Sequence, residues 1–531
     1  MLVAPGGRVY ARRRPERTVL HAALRDHLEA LRAERARQGR PLPSYVDATL
    51  EGLLGCGDLA KGFARFRCDG CGTDRLVAFS CKDRGVCASC MSRRQTQLAA
   101  HLTDRVFPAV RRRQWVLSVP FWLRWRMAFD HDLCLAVHRE MMAVVHGFYD
   151  ERGREAGHVA GESGGVTVIQ RFGSACELNV HFHSLLLDGV MVPSDAPDDD
   201  TLCFRPVRPP SDDELRALCA DIEQRVRRLL VARGLWEDDD EGGQPLALDG
   251  DPEPLGDLRA ARVRQRRGTG ARAGARVTRL RRAAPRASSG RHKARVSGFD
   301  LHAGVTVGKK RRHRREELCR YLLRPPLAAD RLSWAGDGDV LVRLKTPWSD
   351  GTSHLKLTPV ELLARLAVLI PKPHKNQVLY TGVLSARHRW RDRVVPAALA
   401  GAESGAQYAA SRSDRPNPDW ATLMARGLGL DVLACPECDG RLRHLANIME
   451  RRVIQRILRH LGLRASPPEL PPAPQLALAV DCGACPNLAL AGSRHGCVPW
   501  PDRWYVPLLE ATPTAFMRRP APSSRAAPRF A

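Results

Sequence analysis

The sequence predicts an α+β protein, and three features carry that prediction. Short apolar runs closed by turn residues are interspersed with longer stretches whose apolar residues recur at helical spacing. Two of the runs, Gly165–Phe172 and Leu178–Val192, are separated by a Gly-Ser-Ala turn, which suggests an antiparallel hairpin. Sixteen cysteines, several in C-x2-C steps, mark small modules that cannot build a core of their own.

The elements follow in order. Residues 1–16 are basic and Gly-containing, and no fixed structure is expected there. Thr18 to Gln38 reads as an amphipathic helix with Leu20, Leu24, Leu28 and Leu31 on one face. A second helix is expected at Ser44–Leu54, a cysteine-rich stretch at 56–90 and a helix at Ser92–Val106. Gln114 to Phe121 is a strand candidate. Asp130 to Phe148 is a helix whose Leu133, Val137, Met141, Val144, Val145 and Phe148 keep helical spacing. After the hairpin, residues 193–297 change character. Acidic runs flank a helix that starts at a Ser211/Glu214 capping box and stops at Gly234. Leu255 to Val296 holds fourteen Lys/Arg and one acid, the pattern of a flexible basic linker or a phosphate-binding arm. FDLHAGVTV is then a strand, Arg314–Leu323 a helix and Val340–Lys345 a strand. Thr358–Leu369 is a helix with N-cap Thr358, Pro359 at N1 and Glu361 at N3. A small CxxC module is expected at about 430–465. The Pro/Ala-rich tail from Pro467 carries no expected structure. The expected divisions are 1–16, 17–106, 107–400 with its insertion at 193–297, 401–466 and 467–531.

A net charge of +26 over 531 residues makes a polyanion the expected partner, nucleic acid first. No run approaches the roughly 18–20 apolar residues of a membrane span. Met1 to Arg14 has no apolar segment behind its arginines, so no secretory signal is expected. C-x2-C steps in such a chain read as metal binding in a reducing compartment rather than as disulfides.

Three constellations could carry chemistry. Cys68/Cys71 and Cys87/Cys90 are two knuckles fifteen residues apart, the spacing of a zinc ribbon. Four thiolates fill a tetrahedral zinc, so this ion is structural. Cys81 is a spare that could replace a ligand. Arg75, Lys82, Arg84, Arg93 and Arg94 flank the ribbon and suggest contact with DNA. The second constellation is His181-Phe182-His183 on a strand. Positions i and i+2 share a face, so the imidazoles sit together. By themselves they fit a satisfied strand pair better than a metal site. The third is Tyr321, which follows the run KKRRHRR (309–315). A phenol's ordinary pKa is about 10, so a nucleophilic tyrosine needs cations or a metal nearby; a ring packed in the core is the plainer alternative. Tyr380 lies in an apolar strand-like segment and reads as structural. Cys435-Pro-Glu-Cys438 is half a knuckle, which Cys482, Cys485 and Cys497 could complete.

Together these motifs resemble one family. SCKDRGVCASC, VIQRFGSACELNVHFHSLLLDGV, FDLHAGV, LCRYLLRPPL, LVRLKTPWSDGTSHLKLTPVELLARLAVLIPKP and VLACPECDGRLRHLANI are similar to the rolling-circle insertion-sequence transposases of the His-hydrophobe-His (HUH) superfamily, of the common-region-element type. The resemblance spans roughly 19–465. It implies an HUH nuclease domain with a central antiparallel sheet, a helical zinc-ribbon domain before it and a small CxxC module after it. His181 and His183 would hold Mg²⁺ or Mn²⁺, with Glu317 or Gln170 as third ligand. Tyr321 would be the nucleophile. Arg311, Arg312, Arg314 and Arg315 would contact DNA. Double-tyrosine members carry two tyrosines four residues apart; here the first position is Glu317, so the chain resembles a single-tyrosine version. The implied activity is cutting and rejoining single-stranded or extruded element termini through a 5′-phosphotyrosine. The implied setting is a bacterial cytoplasm, at the nucleoid, with host replication proteins and a second copy of the chain as partners. A plasmid relaxase or replication initiator is the alternative within the same chemistry. A non-enzymatic zinc-ribbon DNA-binding regulator is the alternative outside it.

Overall fold

A computed structural model of the chain describes residues 14–82, 85–194, 201–237, 253–282, 292–395 and 420–467, with backbone alone at 8–9 and 244–245. Most of the basic start, most of both acidic runs and the tail from 468 onward, with Cys482, Cys485 and Cys497, lie outside the described residues.

A six-stranded sheet forms the centre. Its order is Lys293–Val296, Phe299–Val307, Arg112–Ser118, Leu178–Leu187, Gly164–Phe172, Val378–Gly382, and every neighbouring pair is antiparallel. The histidine strand, Leu178–Leu187, is therefore covered on both edges. His183 stands opposite Val116 on one side and Val168 on the other. His181 stands opposite Ser118 and Gln170.

The sheet's two faces differ in cover. One buries Trp115, Leu117 and Phe182 against the long helix His131–Glu155, whose Leu133, Val137, Met141 and Val145 make the facing stripe. Each such side chain contributes roughly 1.5–3 kcal/mol of burial. The Asp130 carboxylate caps this helix by accepting from the Leu133 amide at 2.8 Å. Polar groups here are satisfied in a chain: Trp115 donates to the Tyr149 hydroxyl, which donates to Asp188, and Asp188 also holds Arg113. The other face carries the histidines, and the helix Arg312–Leu322 lays Cys319 and Leu322 on it beside Val166, Val168 and Leu185.

The capping box at Ser211/Glu214 is formed as expected, at the start of Asp212–Ala232. The run expected as one strand to Phe121 is a strand only to Ser118. After Pro120 the chain turns into a helix, Phe121–Phe129.

The basic stretch 255–296, expected as a flexible linker or arm, is partly built into the body. Gly256–Val263 is a helix whose Arg259 and Arg262 are buried. Arg262 pairs with the buried Glu361, which also accepts from the Gly268 amide and Thr269 hydroxyl at 3.0 Å each. Arg35 is likewise buried on Asp257. Thr278–Arg281 joins a four-stranded sheet with Thr352–Leu357, Val340–Arg343 and Leu332–Trp334. Arg262 and Arg35 have internal carboxylates supplied by distant segments, and a buried guanidinium is tolerated only with such partners.

The expected CxxC module packs on the amino-terminal cysteine region. Leu442–Ile448 pairs with Phe63–Cys68, which pairs with Asp74–Ala78, in one antiparallel sheet. The helix Trp420–Leu428 sets Leu423 and Met424 against Ala100 of the helix Ala88–His101. At Gly427 the two helices touch: a Cβ there would lie 2.3 Å from Thr96. Among the described residues no helix is long and apolar enough to cross a membrane.

Candidate functional site

Strand alternation places His181 and His183 side by side, and both are buried, with Nε2 atoms 3.0 Å apart. Their outer nitrogens are held separately. His181 Nδ1 donates to the Asn179 carbonyl at 2.8 Å, which leaves its Nε2 as a bare lone pair. His183 Nδ1 meets the Gln114 side-chain amide at 2.9 Å. An amide can present either its NH₂ or its oxygen. With NH₂ inward, His183 carries its proton on Nε2 and donates it to His181. With oxygen inward, the proton moves to Nδ1 and both Nε2 lone pairs point at one spot. Burial drives His181 down to about 4, helped by Arg324 and Arg124. Burial also holds His183 well below the ordinary value, with His181, Arg324 and His302 adding to it. The pair is neutral near pH 7, the form that binds metals.

Tyr321 is brought to this pair. Its ring lies 5.8 Å from that of His183, edge to face at 80°. Lys345 Nζ stands 4.7 Å and Arg324 Cζ 5.1 Å from the tyrosine ring centroid. The helix end that carries Tyr321 is fixed to the sheet by Gln170, which donates to the Leu322 carbonyl at 2.8 Å. Gln170 faces His181 across the strands; its oxygen accepts from Arg324 at 3.4 Å. Glu317 lies one turn before Tyr321, and its carboxylate is engaged by His313 and Arg314 at 3.5 Å each. Of the four arginines expected at DNA, Arg311 and Arg314 are exposed. Arg312 is also exposed and is ion-paired with Asp104, as Arg314 is with Glu317. Arg315 is buried and donates to the Lys309 carbonyl, so its charge serves the helix start and not a surface. Tyr380 sits on the edge strand two places from the histidine strand, with Arg391 over its ring.

Two residues of this face were missed by sequence reasoning. Gln114 orients His183, and alternation along QWVLSVPF gives the signal, since position 114 shares a face with position 116. His302, within FDLHAGVTV, stands opposite Val116 and so on the histidine face.

The cysteines regroup. The expected ribbon of Cys68, Cys71, Cys87 and Cys90 is not assembled. Cys87 and Cys90, at the start of Ala88–His101, meet Cys56 and Cys81. Sulfur separations are 3.5 Å for Cys56–Cys87, 3.4 Å for Cys81–Cys90 and 3.9 Å for Cys56–Cys90. Four sulfurs each about 2.3 Å from one zinc stand about 3.8 Å apart, so this cluster fits a tetrahedral zinc. Cys81, the expected spare, is a full member. Cys56 was missed because it stands outside any C-x2-C step. Cys68 and Cys71 sit at the other end of the hairpin Phe63–Ala78 and meet Cys435 and Cys438 instead. The hairpin is the physical reason: it carries the first knuckle away from the second.

Residues 164–391 match the family model described as Putative transposase. Residues 23–119 match the model described as Transposase zinc-binding domain. No curated protein and no solved structure matches the chain.

Proposed function

We propose that this chain, built from a transposase zinc-binding domain and a transposase domain, cuts and rejoins single-stranded DNA at mobile-element termini through a 5′-phosphotyrosine on Tyr321. One observation carries the reading: the Tyr321 ring packs edge-on to His183, beside a buried imidazole pair whose Nε2 atoms converge.

The pair suits a divalent ion. Two ligands at right angles, each about 2.1 Å from one Mg²⁺, stand about 3.0 Å apart, the separation of the two Nε2 atoms. Gln170 is the better third ligand, because it shares their face while Glu317 is held outward by His313 and Arg314. When bound, such an ion withdraws charge from the scissile phosphate.

The chain's own residues supply the rest. Gln170 and the packing of Leu322 fix the nucleophile's helix to the histidine face. Lys345 and Arg324 stand over the Tyr321 ring and put positive charge where the anionic scissile phosphate must come. Exposed Arg311 and Arg314 offer charge to the strand's phosphates. In the step itself the Tyr321 Oη–P bond forms and the P–O3′ bond breaks. The phenolic proton passes to solvent and the 3′ oxygen takes one up. Bond energy is kept in the adduct, so rejoining needs no nucleotide triphosphate.

The full chain incubated with single-stranded terminus DNA and Mn²⁺ should form a covalent adduct. Tyr321→Phe should slow its formation roughly 10⁴-fold or more, as loss of a covalent nucleophile does. Tyr380→Phe should react normally. An adduct that survives in Tyr321→Phe and disappears in Tyr380→Phe would assign the nucleophile to the other tyrosine.

A further inference from the structure

We propose that Cys68, Cys71, Cys435 and Cys438 bind a second structural zinc, and that this ion clasps the segment 420–467 so that it holds the helix of Tyr321 in place. The metal assignment stands apart from the cleavage reading; only its meaning for Tyr321 rests on that reading.

The ligand set is complete and correctly sized. Cys68–Cys438 and Cys71–Cys435 sulfur distances are both 3.6 Å, and all four sulfurs lie within 4.8 Å of one another. A tetrahedral tetrathiolate zinc calls for about 3.8 Å, whereas a disulfide would need about 2.05 Å. Both pairs are C-x2-C knuckles. Backbone amides of Glu437 and Gly440 donate to Cys435 and Cys438 sulfurs at 3.5 and 3.3 Å. Gly440 presses directly on the cluster: a Cβ there would lie 2.9 Å from Cys68 Sγ and 3.1 Å from Cys438 Sγ. Cys435 and Cys438 lie beyond both matched segments, so neither matched segment alone contains this ligand set.

From the cluster a continuous set of contacts runs to the tyrosine helix. Cys68 and Cys435 share a small core with Phe66, Leu442 and Trp420. Trp420 opens the helix Trp420–Leu428, whose Arg426 grips Asp104 at 2.5 Å and Glu316 at 2.8 Å. Glu316 and Arg320 belong to the helix that carries Tyr321, and Arg320 donates to the Gly427 carbonyl. A small core of this size has little hydrophobic stabilisation of its own, so the metal supplies most of what orders the clasp.

Metal analysis of the full chain should give two zinc ions. Cys435→Ser/Cys438→Ser should give one, and Cys438→His, which keeps a ligand, should still give two. In the unaltered protein, Cys71 is exposed yet should resist alkylation until a chelator is added. Amide exchange over 312–322 should quicken roughly tenfold or more in Cys435→Ser/Cys438→Ser, the mark of a lost local restraint, and return to normal in Cys438→His. One zinc in the unaltered protein, or prompt alkylation of Cys71 without chelator, overturns the metal site. Unchanged exchange over 312–322 in a variant that has lost one zinc overturns the clasp. None of these readouts requires DNA cleavage, so they stand or fall separately from the nucleophile.

Discussion

The histidine face and the thiol cluster of Cys56, Cys81, Cys87 and Cys90 both bring together side chains of metal-ligating type, and they are opposites. The thiols offer four ligands, fill a tetrahedron and leave nothing open. The imidazoles offer two, converge on one spot at 3.0 Å, and have a tyrosine edge beside them. A closed site can only hold the chain together; an open one has room for a phosphate oxygen. The neighbours follow the same division. Around the thiols lies apolar core. Around the histidines lie Gln114, Gln170, Arg324 and Lys345, groups that orient, donate or carry charge.

That contrast can be broken or sharpened by experiment. The largest effect should come from the closed site. Cys87→Ser/Cys90→Ser should lose its zinc and, with it, on the order of 10 kcal/mol of folding free energy, read as loss of the cooperative melting transition. A variant with less zinc but an unchanged melt would make this cluster ornamental. At the open site, Gln114→Met keeps the packing but removes the group that sets the His183 tautomer. It should weaken Mn²⁺ binding roughly 10–100-fold with little change in melting temperature, and calorimetric titration would measure it. Unaltered Mn²⁺ affinity would show that Gln114 does no orienting.

A smaller effect concerns pH. His146, on the helix behind the sheet, is held at about 4 by burial, below an unfolded value of about 6.5. The folded chain therefore binds fewer protons than the unfolded one between those values. Stability should fall as pH drops from about 6.5 towards 4, by up to about 1.4 kcal/mol per pH unit for this residue. His146→Leu should flatten the slope of denaturation free energy against pH by one proton; an identical slope would place the acid sensitivity elsewhere. The smallest effect belongs to Glu317→Gln. Its ion pairs are partly exposed and worth less than about 1 kcal/mol, so Mn²⁺-dependent cleavage should change less than severalfold. A strong defect, corrected by excess Mn²⁺, would return Glu317 to the metal.

What was legible in the sequence was local. The Ser211/Glu214 capping box needs only neighbours three residues apart, and it formed as read. His181 and His183 share a face because strands have period two, and the hairpin that carries them was marked by its turn. What was not legible is pairing at long range. C-x2-C says that two sulfurs face one ion but not which other two join them, and Cys68 finds its partner 370 residues away. Arg262 and Arg35 look in sequence like the solvated arginines around them, and only Glu361 and Asp257, from remote segments, make them core residues. Glu361 itself was read as an ordinary N3 residue. Its amide does donate to the capping Thr358 hydroxyl, yet its carboxylate is the hub of a buried ion cluster.

The strand pairing of Phe63–Cys68 with Leu442–Ile448 also sets a clock. During synthesis the amino-terminal hairpin leaves the ribosome long before its third strand exists. At roughly 5–20 residues per second, the 370 residues between Cys68 and Cys438 take about 20–75 s to make. For that interval the edge of Phe63–Cys68 that will receive Leu442–Ile448 has no partner, and the helix bearing Tyr321 lacks Arg426. A nascent or truncated chain can thus fold its central sheet while the helix that carries Tyr321 stays unbraced, and the clasp closes only after residue 438 has been made.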